Sequence, residues 1–180
     1  MNRRTLLTRL TQAAGTLALA PLLPGRGIAA DGAGRGSGRE FPPVEITREQ
    51  WKQILPEDRY RILFRDGTEP AGSSPLDKIY DPGTYVCAAC FLPLFDSEDK
   101  FDSGTGWPSF TRPIEGRVGT RRDFKLIFPR TEYHCVRCSG HQGHVFDDGP
   151  PPTGQRWCNN GLALRFVPAG QELPEPRTSL

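Results

Sequence analysis

Two matched cysteine pairs decide how this chain folds. The segment GTYVCAAC, residues 83–90, ends in one Cys-x-x-Cys unit, and CVRC, residues 135–138, is a second, with 44 residues between the two units. Two intervening residues let the chain turn back so that both thiolates reach one metal, at sulfur–metal distances of about 2.3 Å. The pattern predicts one Zn²⁺ per chain, held by Cys87, Cys90, Cys135 and Cys138.

Other uses of these four cysteines stay open. They could form disulfides, act as redox pairs, or hold an iron centre with the same four ligands. Zinc is favoured because two matched pairs are improbable as independent redox motifs, and neither follows the strand-to-helix pattern of thioredoxin-like proteins. Four thiolates fill the coordination shell and leave no position for water or substrate, so the predicted role of zinc is structural.

The segments around the cysteines favour strands, preceded by two helices. Thr47 and Gln50 make a capping-box pattern that begins one short helix, and a second is predicted from Pro56 to Asp66 and Gly67. From Gly83 onward, short apolar or aromatic runs alternate with turn residues. They predict antiparallel strands over residues 84–87, 92–95, 125–128, 133–135, 145–146 and 162–167. The expected fold class is mainly β.

Length and charge limit the possible partners. The 180 residues suit one globular domain, predicted over 44–170 with a tail at 171–180. The net charge is only +2, and the 23 basic residues are spread along the chain, so no nucleic-acid partner is expected. A monomer is the expected form.

The first thirty residues are typical of a twin-arginine export signal. They contain NRRTLLT at 2–8, a weakly apolar stretch over 10–23 and small residues at Ala29 and Ala30. The stretch is too short and too polar for a stable membrane span. A disordered basic terminus is the alternative. The export reading predicts a periplasmic protein with a signal at 1–30 and a flexible linker at 31–43.

Cys158 is left over from the even set. In the extended segment RWCNN, residues 156–160, Arg156, Cys158 and Asn160 project to one side. A guanidinium and an amide beside a thiol favour the thiolate, which is the form that acts as a nucleophile. An arbitrary lone cysteine is more often a small buried apolar residue.

Two further segments carry candidate chemistry. SGHQGHVF, residues 139–146, places His141 and His144 in a predicted loop after the second cysteine pair, where they could donate protons. Isolated histidines of this kind are more often plain surface residues. DSGTGWPSF, residues 102–110, predicts a tight loop that displays Trp107 as a pocket wall, although a core tryptophan is the commoner case.

Taken in order, four of these segments resemble the methionine sulfoxide reductases of the B type. They are GTYVCAAC, the SGTGWPSF run that ends at Phe110, HQGHVF at 141–146 and RWCNN at 156–160, and the resemblance covers roughly residues 44–168. It implies two antiparallel sheets in a small barrel-like domain, with short N-terminal helices and with zinc on the side away from the active site. It also implies reduction of the R epimer of methionine sulfoxide in oxidised proteins.

The resemblance also implies a role for each matching residue. Cys158 would attack the sulfoxide sulfur while His144, helped by His141, protonates the departing oxygen. Trp107 would hold the sulfoxide methyl group, and Arg156 and Asn160 would support the thiolate. The product would be a cysteine sulfenic acid, and a small thiol or a thioredoxin-like protein would reduce it.

Several positions depart from the pattern of the family. Phe91, Gln142, Asn159 and Gly161 differ from the residues expected there. Thr105 stands where many relatives place a second, resolving cysteine. Two rival functions remain: a non-catalytic zinc-ribbon binding module, and a reductase of free methionine sulfoxide.

Overall fold

A computed structural model describes residues 42, 44–124 and 129–179. The predicted export signal, all of the predicted linker except Pro42, and the strand predicted at 125–128 lie outside these residues. Within the part described, no helix has the length and apolar character needed to cross a bilayer.

Both predicted helices are present, and their ends are set by local chemistry. Helix α1 (Arg48–Ile54) begins at a complete capping box, in which the Gln50 amide nitrogen donates to Thr47 Oγ1 at 3.2 Å and the Thr47 amide nitrogen donates to Gln50 Oε1 at 2.8 Å. Helix α2 (Glu57–Arg65) ends at Asp66, whose φ of 47° is left-handed. Trp51 and Phe64 stack between the helices, with ring centroids 5.3 Å apart.

Over residues 44–124 and 129–179, nine strands form two antiparallel sheets, which confirms the mainly β fold class. The three-stranded sheet has the order β2-β1-β9, and the six-stranded sheet has the order β3-β4-β8-β7-β6-β5. The strands are β1 (Gly83–Cys87), β2 (Pro93–Asp96), β3 (Lys100–Phe101), β4 (Ser109–Phe110), β5 (Val118–Asp123), β6 (Arg130–Cys135), β7 (His141–Phe146), β8 (Arg156–Asn159) and β9 (Leu164–Pro168). Short 3₁₀ helices cover Pro75–Lys78, Ser97–Asp99 and Gly161–Ala163.

An aromatic core joins the two sheets. Phe95 of β2 stacks on Phe110 of β4 at 4.2 Å, and Tyr85 of β1 meets the same ring edge-on at 5.0 Å. Tyr133 of β6 continues the cluster to Trp157 of β8, with centroids 5.0 Å apart. Pairs of this kind contribute about 0.5–1.5 kcal/mol each beyond the area they bury. This packing fixes the six-stranded sheet, on which the candidate chemistry lies.

The order of the strands places Cys158 beside two other predicted segments. Strand β8 lies between β4 and β7, and Cys158 pairs with Ser109 on one side and with His144 on the other. Strand β7 covers 141–146, so the expectation that His141 and His144 belong to a loop is wrong. Gly143 explains the error, because a Cβ there would lie 1.9 Å from the Cys158 carbonyl oxygen. The glycine suggests a loop but permits close strand pairing.

Candidate active site

A small cavity of about 120 Å³ opens beside Cys158. Four of the residues that the sequence singles out line this cavity: Trp107, His144, Cys158 and Asn160. Gly143 and Phe146 of β7 also line it. His141 lies next to this group, with its ring centroid 5.4 Å from that of His144. Segments more than fifty residues apart in sequence therefore converge on one thiol.

The Cys158 thiol is under opposing influences. Burial raises its pKa above the ordinary value of 9.0, while the charge of Arg156 and hydrogen bonds from Thr105 and Arg156 act in the opposite direction. Burial has the larger effect. The sequence correctly predicts a positive neighbour for this thiol, but the neighbour only limits the rise in the pKa and does not reverse it.

Arg156 is held rigidly beside the thiol. Its Nε and Nη2 atoms donate to the two carboxylate oxygens of Asp148, each at 2.8 Å. Its guanidinium also lies over the Phe146 ring, 4.4 Å from the centroid. A two-pronged ion pair and a ring contact leave this cation little freedom, so its position relative to Cys158 is fixed.

Each histidine of β7 is paired with a buried carboxylate. His141 Nδ1 lies 2.7 Å from Glu132 Oε1, and His144 Nε2 lies 2.7 Å from Asp123 Oδ2. Burial lowers the pKa of His144 below 6.5, and the hydrogen bond to Asp123 offsets only part of this effect. At neutral pH the His144 imidazole is therefore mainly neutral.

Arginines complete both pairs. Arg121 binds Glu132 through two nitrogens, and Arg130 Nη2 binds Asp123 at 2.7 Å. Burial favours the neutral form of Glu132, but hydrogen bonds from His141 and Arg121 outweigh it and lower its pKa to about 2. The sequence alone does not single out Glu132 and Asp123, because their contacts with the histidines depend on the register of β5, β6 and β7.

Asn160 is held by backbone groups. Its Nδ2 donates to the Gln142 carbonyl at 3.0 Å, and its Oδ1 accepts from the Glu69 amide nitrogen at 3.1 Å. Both ends of the side chain are therefore engaged in joining β7, the turn after β8 and the segment after α2. The prediction that this amide supports the thiolate stays a prediction, and the contacts favour support through placement of the backbone.

Trp107 lies on a loop, as the sequence predicts. The loop turns at Gly104 and Gly106, whose φ angles are 70° and 86°, and the indole Nε1 donates to the Glu69 carbonyl at 3.1 Å. The Ser103 hydroxyl lies 2.8 Å from the hydroxyls of both Thr105 and Ser109. This hydroxyl cluster holds Thr105 beside the Cys158 sulfur.

The four remaining cysteines form a compact cluster, whose ligand sulfurs all lie within 4.8 Å of one another. Cys87 and Cys138 sulfurs are 3.7 Å apart, and Cys90 and Cys135 sulfurs are 3.5 Å apart. A tetrahedron with bonds of about 2.3 Å has edges of about 3.8 Å, so the spacing suits Zn²⁺. No disulfide joins any of the five cysteines.

The two cysteine pairs share one backbone geometry. The Cys87 amide donates to the Leu92 carbonyl at 2.8 Å, and the Cys135 amide donates to the Gly140 carbonyl at 3.0 Å. The residue after each pair is left-handed, with φ of 63° at Phe91 and 57° at Ser139. Two equivalent turns thus face each other, which is the arrangement expected of paired metal-binding knuckles.

Hydrogen bonds within the cluster shift the pKa values of its thiols in opposite directions. Hydrogen bonding to Cys135 lowers the pKa of Cys87 and raises the pKa values of Cys90 and Cys138. A divalent cation bound by the four thiolates would replace the thiol protons as the compensating charge. The Gln142 amide also lies 3.5 Å from the Cys87 sulfur, so β7 contacts both this cluster and Asn160.

A second, larger cavity of about 460 Å³ adjoins the first and shares Thr68, Arg130 and His144 with it. Asp66, Glu132 and His141 come close enough together there to suggest a cation site. Arg121 already binds both of those carboxylates. Its guanidinium supplies the positive charge, so the group is an ion-pair network and not a second metal site.

Cys158, the carboxylate-paired His144 and the four-cysteine cluster all lie within a SelR domain. The SelR domain model matches residues 55–168. The chain belongs to the peptide methionine sulfoxide reductase B family.

Three relatives are identical to this chain at about half of the aligned positions. A peptide methionine sulfoxide reductase MsrB of Leptospira interrogans is 50% identical over 124 residues, which are 68% of this chain and 95% of that one. A protein of the same name from Caulobacter vibrioides is 47% identical over 136 residues, covering 75% and 86%. The chloroplastic B1 reductase of Arabidopsis thaliana is 48% identical over 124 residues, covering 68% and 61%.

Among solved structures, the Mis18 "Yippee-like" domain aligns with a TM-score of 0.40 and 19% identity. The alignment covers 51% of this chain and 100% of that domain.

Proposed function

We propose that this chain reduces the R epimer of methionine sulfoxide in proteins to methionine, with Cys158 as the nucleophile. The observation that carries the proposal is the pairing of Cys158 with His144 across β7 and β8, inside a cavity of about 120 Å³ that Trp107 also lines. A nucleophile, a proton donor and an apolar wall are the three groups that this reaction needs.

The first step is attack by the Cys158 thiolate on the sulfoxide sulfur. The oxygen passes to the cysteine, the thioether leaves, and Cys158 becomes a sulfenic acid. Arg156 and Thr105 stabilise the thiolate by charge and by hydrogen bonds. Asn160 acts through the backbone, since its side chain fixes the turn that follows Cys158.

The second requirement is a proton for the sulfoxide oxygen, which is a poor leaving group until it is protonated. His144 lines the cavity and supplies this proton. Asp123 orients its ring through Nε2 and stabilises the imidazolium as it forms. His141, held in the same way by Glu132, supports His144 from the neighbouring position.

Trp107 provides the wall for the sulfoxide methyl group. Its indole is partly exposed, lines the cavity and is fixed by its hydrogen bond to the Glu69 carbonyl. Trp107 would hold the methyl group and His144 would donate to the oxygen, on different sides of the attacking sulfur. This arrangement accepts one epimer. In the other epimer, the oxygen would point away from His144.

The four-cysteine cluster would hold zinc in a structural role. Cys87, Cys90, Cys135 and Cys138 would be the ligands, and the ion would tie the end of β1 to the end of β6. When bound, zinc supplies stability to the fold and no open coordination position. The chemistry at Cys158 depends on it only through the placement of β6 and β7.

Protein-bound substrate is favoured over free methionine sulfoxide. The small cavity suits one side chain, and the adjoining cavity of about 460 Å³ gives room for the neighbouring residues of a peptide. Four arginines line that larger cavity, and they would offer donors to peptide carbonyls; they are Arg48, Arg121, Arg122 and Arg130.

The site of action and the reductant complete the proposal. The NRRTLLT segment at 2–8 supports export in folded form, with metal loaded before transport. Replacing Arg3 and Arg4 together with lysine should retain unprocessed protein in the cytoplasm, and unchanged export of this variant would argue against the signal. A small thiol or a thioredoxin-like protein would reduce the sulfenic acid.

The test uses matched peptides that contain either the R or the S sulfoxide, with dithiothreitol as reductant and thioether formation as readout. Wild-type protein should reduce the R peptide and leave the S peptide unchanged. Cys158→Ser should abolish turnover while retaining the same metal content and the same circular dichroism. A zinc-ribbon binding module would reduce neither peptide, and that result would reject the proposed function. Equal rates on free R-methionine sulfoxide would reject the preference for protein-bound substrate.

A further inference from the structure

We infer that Glu69 is a positioning residue that joins the two walls of the active site, the Trp107 loop and the turn after Cys158. Glu69 lies in the connection between α2 and the 3₁₀ helix at Pro75–Lys78 and is only 2% exposed. The inference rests on the proposed function, since it concerns the residues proposed to hold the substrate.

The carboxylate of Glu69 caps the turn that follows the nucleophile. Oε1 accepts from the Gly161 amide nitrogen at 2.5 Å, and Oε2 accepts from the Leu162 amide nitrogen at 2.9 Å. These are the first two amides of the 3₁₀ helix Gly161–Ala163, which have no partner inside that helix. A buried carboxylate at this end satisfies both donors and suits the local dipole.

The backbone of Glu69 makes the other two contacts. Its amide nitrogen donates to Asn160 Oδ1 at 3.1 Å, and its carbonyl accepts from Trp107 Nε1 at 3.1 Å. The neighbouring Gly72 amide donates to the Gly106 carbonyl at 2.7 Å. One short segment therefore holds both the indole and the asparagine that line the cavity.

Gly161 shows how closely these groups approach. A Cβ at this position would lie 1.9 Å from Ser74 Oγ and 3.2 Å from Glu69 Oε1. Any side chain there would push the turn away from the carboxylate. Gly161 is one of the departures from the family pattern. In this chain, the close approach of Ser74 and Glu69 leaves no room for a side chain at this position.

A positioning role predicts a change in substrate selectivity, whereas a purely structural role predicts only a smaller active fraction. An apolar pocket discriminates between substrates that differ by one methylene by about 10- to 200-fold. The ratio of kcat/KM for methyl and ethyl R-sulfoxide peptides reports on the Trp107 wall, and it does not depend on how much of the protein is active.

Glu69→Gln keeps the size of the side chain but removes its charge and one acceptor. We expect kcat/KM for the methyl substrate to fall about tenfold, as for loss of a charge-assisted hydrogen bond, and the methyl-to-ethyl ratio to fall at least about threefold. Glu57→Gln is the matched control, because Glu57 is exposed on the first turn of α2. The control should change neither value.

Hydrogen exchange in the wild-type protein gives a second measurement that needs no variant. Slow exchange of the Gly161 and Leu162 amides and of the Trp107 indole is the expected result. An unchanged methyl-to-ethyl ratio in Glu69→Gln would overturn the inference. If that variant does not fold, fast exchange of these protons in the wild-type protein would overturn it. In either case, wild-type protein would still reduce the R peptide. Absence of wild-type activity would instead reject the proposed function.

Discussion

At the scale of single residues, the cavity places two groups in protonation states that oppose the reaction. Burial raises the pKa of the Cys158 thiol above 9.0 and lowers the pKa of His144 below 6.5, so both groups are mainly neutral near pH 7. The reactive combination of thiolate and imidazolium is then a minor form. Its fraction does not change with pH between the two pKa values.

This protonation pattern predicts the pH dependence of the reaction. We expect kcat/KM for the R-sulfoxide peptide to be flat between about pH 7 and about pH 8.5 and to fall on both sides. The rate falls at acidic pH because the thiolate is protonated, and it falls at alkaline pH because the imidazolium loses its proton. Steady-state rates from pH 5 to pH 10 would check this profile. A rate that climbs steadily to pH 9 would show that the thiolate alone limits the reaction.

Recycling of the oxidised cysteine is expected to depend on the residue at position 105. The Thr105 hydroxyl contacts the Cys158 sulfur, and the four other cysteines are gathered in the four-cysteine cluster. Thr105→Cys would place a thiol next to the sulfenic acid, so we expect an intramolecular disulfide in this variant and faster recycling by a dithiol protein. Thr105→Ser is the control and should form no disulfide. Absence of a disulfide in Thr105→Cys would mean that the loop cannot bring the two sulfurs together.

At the scale of secondary-structure elements, the two cysteine knuckles hold the ends of β1 and β6 together. About one zinc per chain is expected, and its removal by a chelator should lower the unfolding midpoint, because the four thiolates would lose their compensating charge. Metal analysis and thermal unfolding would check both points. Protein purified without zinc and with disulfides among Cys87, Cys90, Cys135 and Cys138 would contradict the ligand assignment.

The first knuckle also receives the C-terminal tail. Phe91 adopts a left-handed conformation, which costs roughly 1–2 kcal/mol for a residue with a side chain. Its ring contacts the Arg177 guanidinium at 4.7 Å, and the Arg177 amide donates to the Cys90 carbonyl at 3.0 Å. The tail predicted at 171–180 therefore contacts the knuckle at Arg177, and Phe91 is the contact point.

A double-mutant cycle tests this contact. Arg177→Ala should lower the free energy of unfolding by about 0.5–1 kcal/mol in the wild-type background, and it should have little effect when combined with Phe91→Gly. Urea unfolding of the four proteins gives the coupling energy. Arg61→Ala, at an exposed position of α2, serves as the control. Strictly additive effects of the two substitutions would show that the ring and the guanidinium do not interact.

At the scale of the whole molecule, local chemistry made much of the architecture predictable. The capping box at Thr47 and the stop at Asp66 are rules that act over a few residues, and each predicted its helix end correctly. The pairing of the four cysteines correctly predicted that their sulfurs form one cluster. Strand β5 was missed because VGTRRD is polar and largely exposed, unlike the apolar runs that signal a strand.

The sequence singles out residues that the structure brings together at one cavity, but it does not predict their electrostatics. Cys158, His144 and Trp107 stand in unusual local sequences, which single them out. Asp123 and Glu132 become partners of the histidines only through the pairing of β5, β6 and β7. The pKa of Cys158 depends on burial by distant segments, which a neighbouring arginine in the sequence does not reveal.

A single turnover without reductant shows whether Cys158 takes the oxygen from an R-sulfoxide. Wild-type protein is mixed with excess R-sulfoxide peptide in the presence of a sulfenic-acid trap, and both products are read by mass spectrometry. The expected result is about one thioether per chain, with the trap attached at Cys158 and zinc retained. No thioether, or thioether formed with the trap on a knuckle cysteine and Cys158 unmodified, would contradict it.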